Sequence, residues 1–331
     1  MKFSLIVCTY MRPEPLRNLL ESVKAQSLFP DEILIVDGSR NAGTKQMLES
    51  NHYHNLKYFL VNEQDRGLTR QRNFGIKHTG PDIGVVCFLD DDTVLHPDYF
   101  KEILKVYSVF PNALGVGGYI TNETVWQQTN EGYAASKNEF SFDGWKRSDG
   151  SRFVLRKKFG LDSDLAPGFL PEFSHGRSIS FLPPSGKIYE VEQLMGGVSS
   201  FKKQIFKDFQ FSTYFEGYGL YEDADFTLRL SKAGKLYVNT NATLKHFHDD
   251  AGRPNKYNYG KMVVRNGWYV WRVKFPNPSF KAKIKWHLIT LLLTAIRLSN
   301  AITASKKKEA LTESAGRISG WLGLLIKKPK E

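Results

Sequence analysis

Residues 84–92 read Gly-Val-Val-Cys-Phe-Leu-Asp-Asp-Asp, an apolar run that stops abruptly at three carboxylates. A short apolar run of this kind is typical of a strand that is buried on both faces. Adjacent carboxylates repel one another unless a cation or a hydrogen-bonded ligand lies among them. Hard divalent ions such as Mg²⁺ and Mn²⁺ take oxygen ligands and bridge carboxylates to substrate phosphates. The stretch therefore predicts a strand that ends at a cation site, with a solvated acidic turn as the alternative.

The segments before this strand alternate between strand and helix patterns. Apolar runs at 3–8, 33–36 and 57–61 predict strands, and residues 16–23, 43–50 and 68–79 have helical spacing. Such alternation predicts an α/β fold with a mainly parallel central sheet and helices on both faces. Ligands of open sheets of this kind bind beyond the carboxyl ends of the strands. The residues to consider there are Thr9, Asp37 and Asp90 to Asp92.

The second half of the chain is less regular. Residues 98–110 are predicted as an amphipathic helix, and 121–190 as long loops and short strands over one end of the sheet. Residues 201–208 and 221–234 have helical patterns, and 236–246 has a strand pattern. From about residue 258 the chain again has a helical pattern and becomes increasingly basic.

The C-terminal segment combines apolar residues with lysines. Its longest stretch without a charged residue in the first apolar part is 286–296, which is shorter than the about 20 apolar residues that a membrane span needs. A second apolar patch covers 318–326 and ends at Lys327. With Trp286 and Trp321 nearby, these faces suit helices lying in a membrane interface. The alternative is a helical pair that packs on the catalytic domain or on a second subunit.

The bulk properties fit a folded protein with an anionic partner. The chain has 331 residues, a net charge of +12 and 41% hydrophobic residues, which suits one large α/β domain with appendages or two modest domains. An excess of positive charge favours a phosphorylated substrate, an anionic membrane surface or nucleic acid, and we expect no nucleic acid because the charge lies mainly in the tail. Cys8 and Cys87 lie in apolar runs and are predicted as buried thiols. No signal peptide is recognisable.

Several polar segments have both a chemical and a structural interpretation. Asp37 after its strand can bind a nucleobase or ribose, or can simply shape a turn. Residues 67–75, which contain Arg72 and Asn73, open a helix whose start and arginines can meet a diphosphate, or form a basic solvated face. Glu222 and Asp223 begin a helix, where the dipole favours acids, or supply a general base. His246 and His248 share one face of a strand, so that either can reach a metal.

Taken in order, these segments resemble the inverting family 2 glycosyltransferases of the GT-A fold, over about residues 3–270. The matching segments are 4–12, 33–39, 67–75, 88–92, 196–201, 222–223 and 265–268. The glutamine-x-x-arginine-tryptophan motif and the clear membrane spans of the processive polymerases are not found, which indicates a non-processive enzyme.

The resemblance implies a role for each candidate residue. Asp223 would be the catalytic base, while Asp92 and His246 would hold a divalent metal, Mn²⁺ or Mg²⁺. Gly196, Gly197 and Glu222 would lie on the acceptor side. The donor-binding residues would be Thr9, Tyr10, Arg12, Asp37, Arg72, Asn73, Asp90 and Asp91.

The resemblance also implies partners and a division of the chain. The donor would be a sugar linked to UDP, GDP or dTDP, and the acceptor a saccharide or a lipid-linked saccharide. Residues 1–120 would form the donor half of the GT-A domain, 121–270 the acceptor half, and 271–331 a basic helical region that anchors to a membrane surface. We expect a cytoplasmic protein, peripheral on the inner face of the cell membrane, and an oligomer is possible.

Two other functions stay open from the sequence. A sugar-phosphate nucleotidyltransferase has a related sheet but needs a glycine-rich phosphate loop after the first strand, and residues 8–14 contain no glycine. A non-catalytic carbohydrate- or membrane-binding protein of the same fold would carry the same motifs without turnover.

Overall fold

The computed structural model describes residues 1–215, 217–248, 254–303 and 305–329. The strands are β1 (Phe3–Thr9), β2 (Glu32–Asp37), β3 (Leu56–Leu60), β4 (Val85–Asp90), β5 (Thr93–Leu95), β6 (Ala113–Ile120), β7 (Gln127–Gln128), β8 (Glu139–Phe142), β9 (Trp145–Ser148), β10 (Ile188–Val191), β11 (Val198–Lys202) and β12 (Lys235–His246).

The helices are α1 (Pro13–Lys24), α2 (Gly43–Glu49), α3 (Leu68–Lys77), α4 (Tyr99–Val109), α5 (Ser151–Lys158), α6 (Glu222–Leu230), α7 (Lys256–Lys274), α8 (Phe280–Thr303) and α9 (Lys307–Ile326). Short 3-10 helices lie at Ile179–Phe181, Lys203–Lys207 and Thr213–Phe215. Within the described residues, no helix combines the length and the apolar content that crossing a membrane requires.

The chain divides into two compact units. Unit 1 contains Met1–Val125 and Leu182–Gly252, and unit 2 contains Trp126–Phe181 and Arg253–Glu331. These bounds differ from the predicted division at residues 120 and 270, because the segment after β6 returns to unit 1 only at residue 182. The predicted donor and acceptor halves are defined by the ligands that they would bind, and a division into compact units does not test ligand binding. They therefore stay a prediction.

Unit 1 is built on one nine-stranded sheet. Its strands lie in the order β10-β12-β6-β11-β4-β1-β2-β3, and β5 pairs with β12. The pairs β4-β1, β1-β2, β2-β3 and β6-β12 are parallel. Strand β11 is antiparallel to β4 and β6, and β10 and β5 are antiparallel to β12. The parallel pairs join more residues, and the predicted mainly parallel α/β sheet is confirmed.

Alternation along β1 explains why helices cover both faces of this sheet. Leu5 and Val7 point into a core that also contains the buried faces of α1 and α4. Ile6 points to the opposite face, where α3 lies so close that a side chain on Gly75 would come within 2.7 Å of it. Because each strand residue is covered on one face or the other, the strands read as continuous apolar runs.

One prediction of secondary structure and one prediction of burial are wrong. The predicted helix at 201–208 is wrong, because this segment is the end of β11 followed by the 3-10 helix Lys203–Lys207. Phe201 and Ile205 are both buried, and their spacing imitates a helical face. Cys87 is buried as predicted, whereas Cys8 is partly exposed.

Unit 2 holds the segments that the sequence left irregular, together with the basic tail. Residues 126–181 form the three-stranded sheet β7-β9-β8 and the helix α5. Helices α7, α8 and α9 pack around a cluster formed by Trp268, Trp271 and Trp286. The rings of Trp271 and Trp286 stack at 5.3 Å between centroids.

Candidate active site

The three aspartates after β4 have different surroundings. Asp91 is buried, and its Oδ2 accepts a hydrogen bond from the Thr9 hydroxyl at 2.7 Å. Its Oδ1 lies 3.1 Å from Nη1 of Arg12, and the same nitrogen is 3.6 Å from Oδ2 of Asp92. Burial raises the pKa of Asp91 to about 7 although Thr9 and Arg12 oppose the shift. The two oxygens of Asp91 thus bond to Thr9, which ends β1, and to Arg12 just beyond it. The predicted donor contact of Asp91 stays a prediction.

Asp90 lies against Gly197, the residue just before β11. Its backbone N–H donates to the Gly197 carbonyl at 3.0 Å. A Cβ atom on Gly197 would lie 2.0 Å from the Asp90 carboxyl group, which no real side chain tolerates. A Cβ on Gly196 would lie 2.6 Å from both Arg72 and Glu222. The two glycines are therefore required so that acidic and basic side chains can approach this backbone.

Asp92 and His246 meet at the point where β4 and β12 end. Nε2 of His246 lies 3.0 Å from Oδ1 of Asp92, and Nδ1 lies 3.5 Å from Glu123. Burial lowers the pKa of His246, but the hydrogen bonds to Asp92 and Glu123 outweigh it and raise the pKa to about 10. Asp90, Asp92 and His246 offer ligand atoms that all lie within 4.8 Å of one another.

This set fits a divalent metal on chemical grounds. Two carboxylates are ligands that Mn²⁺ and Mg²⁺ sites use, with positions left for phosphate oxygens. The imidazole adds a ligand of the kind that transition metals accept. A carboxylate that bonds to the second nitrogen of a metal-binding histidine orients the imidazole ring. Glu123, beside Nδ1 of His246, is in the position to do this. Glu123 and His248 form a second group with His246, with Nε2 of His248 at 2.7 Å from Glu123.

Helix α6 brings two further acids to the site. Oδ2 of Asp223 accepts from the Gly196 N–H at 3.2 Å, and Oδ1 accepts from the Ala224 N–H at 2.7 Å. Asp223 is partly exposed, and burial of its carboxyl raises its pKa above the ordinary value. Such a carboxyl is a suitable proton acceptor near neutral pH.

Arg72 and Glu222 form a buried ion pair beside these groups. Nη1 of Arg72 lies 2.5 Å from Oε1 of Glu222, and Nη2 lies 3.7 Å from Asp90. The guanidinium also lies over the ring of Phe211, 5.1 Å from its centroid. Burial raises the pKa of Glu222, against the influence of Arg72. The pair connects α3 to α6, while the direct donor and acceptor contacts predicted for these residues stay predictions.

Asp37 and Asn73 are held by contacts within the protein. Asp37 is fully buried, and it accepts hydrogen bonds from the Ser39 N–H at 2.8 Å and the Tyr58 hydroxyl at 2.9 Å. The Asn73 amide donates to the Phe211 carbonyl and accepts from its N–H. The two side chains thus hold the backbone at Ser39 and Phe211 in place. This geometry does not test the donor contacts that were predicted for them. Tyr10, just beyond β1, is partly exposed.

Two residues of the site were not predicted from the sequence. The buried Gln71 amide donates to the carbonyls of Thr9 and Val36, and so it links the ends of β1 and β2. Glu123 contacts His246 as described. Gln71 lies inside the 67–75 segment that the sequence singled out, but nothing in the sequence marks Glu123, which follows β6 by three residues.

The chain was compared with known proteins. Residues 4–167 match the model of glycosyl transferase family 2. A glucosyl-dolichyl phosphate glucuronosyltransferase of Haloferax volcanii is 30% identical over 128 residues, which are 38% of this chain and 40% of that protein. The uncharacterized glycosyltransferase YwdF of Bacillus subtilis is 34% identical over 106 residues, 32% of this chain and 38% of that protein. The chain thus spans about 40% of the length of these relatives.

A solved structure supports the fold. The crystal structure of GalNAc-T7 with UDP, GalNAc and Mn²⁺ is similar with a TM-score of 0.52 and 16% identity, over 82% of this chain and 49% of that one. At this identity the likeness concerns the fold alone. The family match covers β1 to β4 and the aspartates after them. Residues 4–167, which contain Thr9, Asp37, Arg72 and the aspartates after β4, are thus similar to the glycosyl transferase family 2 domain.

Proposed function

We propose that this protein is an inverting, non-processive glycosyltransferase that uses a nucleotide-diphosphate sugar. The observation that carries the proposal is the grouping of Asp90, Asp92 and His246 within ligand distance of one another, beside Asp223 bonded to the Gly196 N–H. A cation site and a separate carboxylate are the two parts that an in-line sugar transfer requires.

On the donor side, Asp92 and His246 would hold Mn²⁺ or Mg²⁺, with Asp90 beside them. The metal would neutralise charge on the diphosphate. Arg12, 3.6 Å from Asp92, supplies a further positive charge next to that place. Thr9, Tyr10 and Arg72 complete the proposed donor side, and a sugar linked to UDP, GDP or dTDP suits it.

On the acceptor side, Asp223 would take the proton of the attacking hydroxyl. The acceptor oxygen forms a bond to the anomeric carbon while the bond from that carbon to the diphosphate oxygen breaks. The nucleoside diphosphate leaves with the electron pair, and the proton moves to the Asp223 carboxylate. One displacement inverts the anomeric configuration and needs no second carboxylate as a nucleophile.

The glycosyltransferase relatives and the basic tail support a proposal for the acceptor class and the location. We propose a saccharide or lipid-linked acceptor and a role in the synthesis of a cell-surface polysaccharide or glycolipid. The protein would work at the cytoplasmic face of the cell membrane, where lipid-linked acceptors and anionic lipids occur together.

The test is a panel of nucleotide sugars with the full chain, measured by thermal stabilisation and by metal-dependent hydrolysis. The matching donor should raise the melting temperature, and its hydrolysis should require Mn²⁺ or Mg²⁺. Asp92→Ala should lower hydrolysis at least about a hundredfold, because a metal contributes several kcal/mol to the transition state. Asp82→Ala, at an exposed acid that pairs with Lys2, is the matched control.

Each alternative has its own result. A donor that binds without any turnover, in the presence of acceptors and metal, would identify a non-catalytic binding protein. Release of pyrophosphate from a nucleoside triphosphate and a sugar phosphate would identify a nucleotidyltransferase. Retention of the anomeric configuration, read by NMR of the product, would rule out the single displacement.

A further inference from the structure

Helix α8 carries a continuous exposed stripe of apolar side chains. Its members follow one another at three or four residues, the spacing of one helix face. The exposed fractions of its large hydrophobic side chains range from 41% for Leu291 to 80% for Ile302. The stripe comprises Phe280, Ile284, Leu288, Leu291, Ala295, Leu298 and Ile302.

Helix α9 carries a second stripe of the same kind, formed by Leu311, Ala315, Ile318, Leu322 and Leu325. Leu325 is 70% exposed. The other side of α9 is buried against α7, where a side chain on Gly316 would lie 2.0 Å from the Tyr257 carbonyl. The stripe on α9 is therefore not the face that holds the helix in unit 2.

These stripes concentrate the exposed apolar surface of the molecule. Among the described residues, eleven of the 22 exposed large hydrophobic side chains lie between residues 280 and 326. Scattered exposed hydrophobic residues are ordinary, but a contiguous patch marks an interaction surface. The two stripes therefore mark a candidate interaction surface.

The tryptophans do not belong to this surface. Trp286 is only 1% exposed and packs against Trp271, and Trp321 is partly buried, with its indole N–H bonded to His287. Trp286 therefore lies in the core of unit 2 and gives no support to the predicted membrane interface. The aliphatic stripes are the exposed apolar part of the tail.

The charged residues of the same segment indicate which kind of partner the stripes would bind. Residues 280–329 contain ten Lys and Arg and two Glu. Glu313 is buried between Arg297 and Arg317, and Glu309 pairs with Lys256. A second copy of this chain would bring like charges together, whereas an anionic lipid leaflet complements them.

We propose that the exposed stripes of α8 and α9 dock into the interfacial layer of an anionic lipid leaflet. The helices would lie in the plane of the interface with the aliphatic side chains among the acyl chains and the lysines at the headgroups. The inference rests on the proposed membrane location and names the surface that provides it.

Co-sedimentation with vesicles tests this with the full chain and without donor or metal, so that its outcome is independent of the transferase activity. The wild-type chain should bind vesicles of phosphatidylcholine mixed with phosphatidylglycerol, release at high salt, and not bind pure phosphatidylcholine. The double variant Leu288→Ser, Leu291→Ser should bind the anionic vesicles at least about tenfold more weakly, because two half-exposed leucines lose their apolar contact.

The matched control removes two exposed aliphatic residues from unit 1. Leu28 and Val109 are 38% and 55% exposed, and Leu28→Ser, Val109→Ser should bind vesicles like the wild type. Thermal melting checks that both variants fold, and the salt and lipid dependence of the wild type stands without them. Equal binding by the stripe variant, or equal binding of the wild type to neutral vesicles, would overturn the proposal. So would a wild-type dimer in sedimentation equilibrium that the stripe variant disperses, because the stripes would then serve a second copy.

Discussion

At the scale of single residues, the contact between Gly197 and Asp90 leaves no room for a side chain. The carboxyl group of Asp90 occupies the place where a Cβ would stand, at 2.0 Å. The strand before Asp90 is fixed by pairing with β1 and β11, and so the carboxyl group is the part that must move when Gly197 is substituted.

Gly197→Ala is accordingly expected to weaken Mn²⁺ binding about ten- to hundredfold, the effect typical of disturbing the surroundings of a metal ligand. Titration calorimetry with the full chain measures it. Gly150→Ala is the control, since a Cβ there meets nothing within 4 Å and the backbone φ is −68°. Unchanged metal affinity in Gly197→Ala would contradict the placement of Asp90 at the metal.

Asp223 gives a prediction on pH. Because burial raises its pKa, the protonated form persists above the ordinary pKa of an aspartate, and a protonated carboxyl cannot accept the acceptor's proton. We expect kcat/KM to fall as the pH falls through this raised pKa. Asp223→Asn should lower transfer by about 10²- to 10⁴-fold while donor binding, measured by calorimetry, is retained. An acid limb that persists in the residual activity of Asp223→Asn would assign the titration to another group.

The acidic residues of the site could be predicted from the sequence, but the residues that hold them in position could not. Asp90 and His246 end their strands and Asp92 lies just beyond β4. The apolar run of β4 is easy to recognise, so a site at the end of this strand could be predicted. Gln71 and Glu123 act through contacts with residues distant in the chain, Val36 and His246. Such pairings depend on the final packing, which has no local signal. The hydrogen bond between Asp37 and the Tyr58 hydroxyl also depends on packing and has no local signal.

At the scale of the elements, the first four strands were predicted to within two residues because their two covered faces require apolar side chains throughout. Strand β6 was not predicted, and its composition explains this. Gly115 and Gly118 weaken the strand pattern, but a Cβ at Gly115 would lie 2.7 Å from Phe201 and one at Gly118 would lie 2.5 Å from Tyr99. Large rings from neighbouring elements fill the places that these glycines leave.

Helix α9 offers a prediction at the same scale. A Cβ on Gly316 would lie 2.0 Å from the Tyr257 carbonyl of α7, so Gly316→Ala should separate the helices and cost about 1–3 kcal/mol of unfolding free energy. Gly323→Ala in the same helix meets only the end of the Arg265 side chain, at 3.2 Å, and should be neutral or stabilising by up to about 1 kcal/mol. Denaturant unfolding compares the two, and equal stabilities would show that α7 and α9 are not in backbone contact.

At the scale of the whole molecule, charge and apolar surface are unevenly distributed. Net charge alone was compatible with nucleic acid, a phosphorylated ligand or a membrane. The structure places half of the exposed large hydrophobic side chains among the described residues in the same 280–326 segment that carries many of the lysines. Composition could not reveal this coincidence, because which side of a helix stays exposed is decided by its neighbours.

The division of the chain has a consequence for its biosynthesis. Each unit is assembled from two separated segments, and residues 126–181 are completed before 253–331 are made. At about 5–20 residues per second, the intervening roughly 70 residues of unit 1 delay the partner helices by roughly 4 to 14 seconds. During that interval β7 to β9 and α5 leave the ribosome without α7 to α9. The nascent protein therefore passes through a stage in which unit 1 can complete its fold while residues 126–181 lack their partner helices and are exposed to chaperones and proteases.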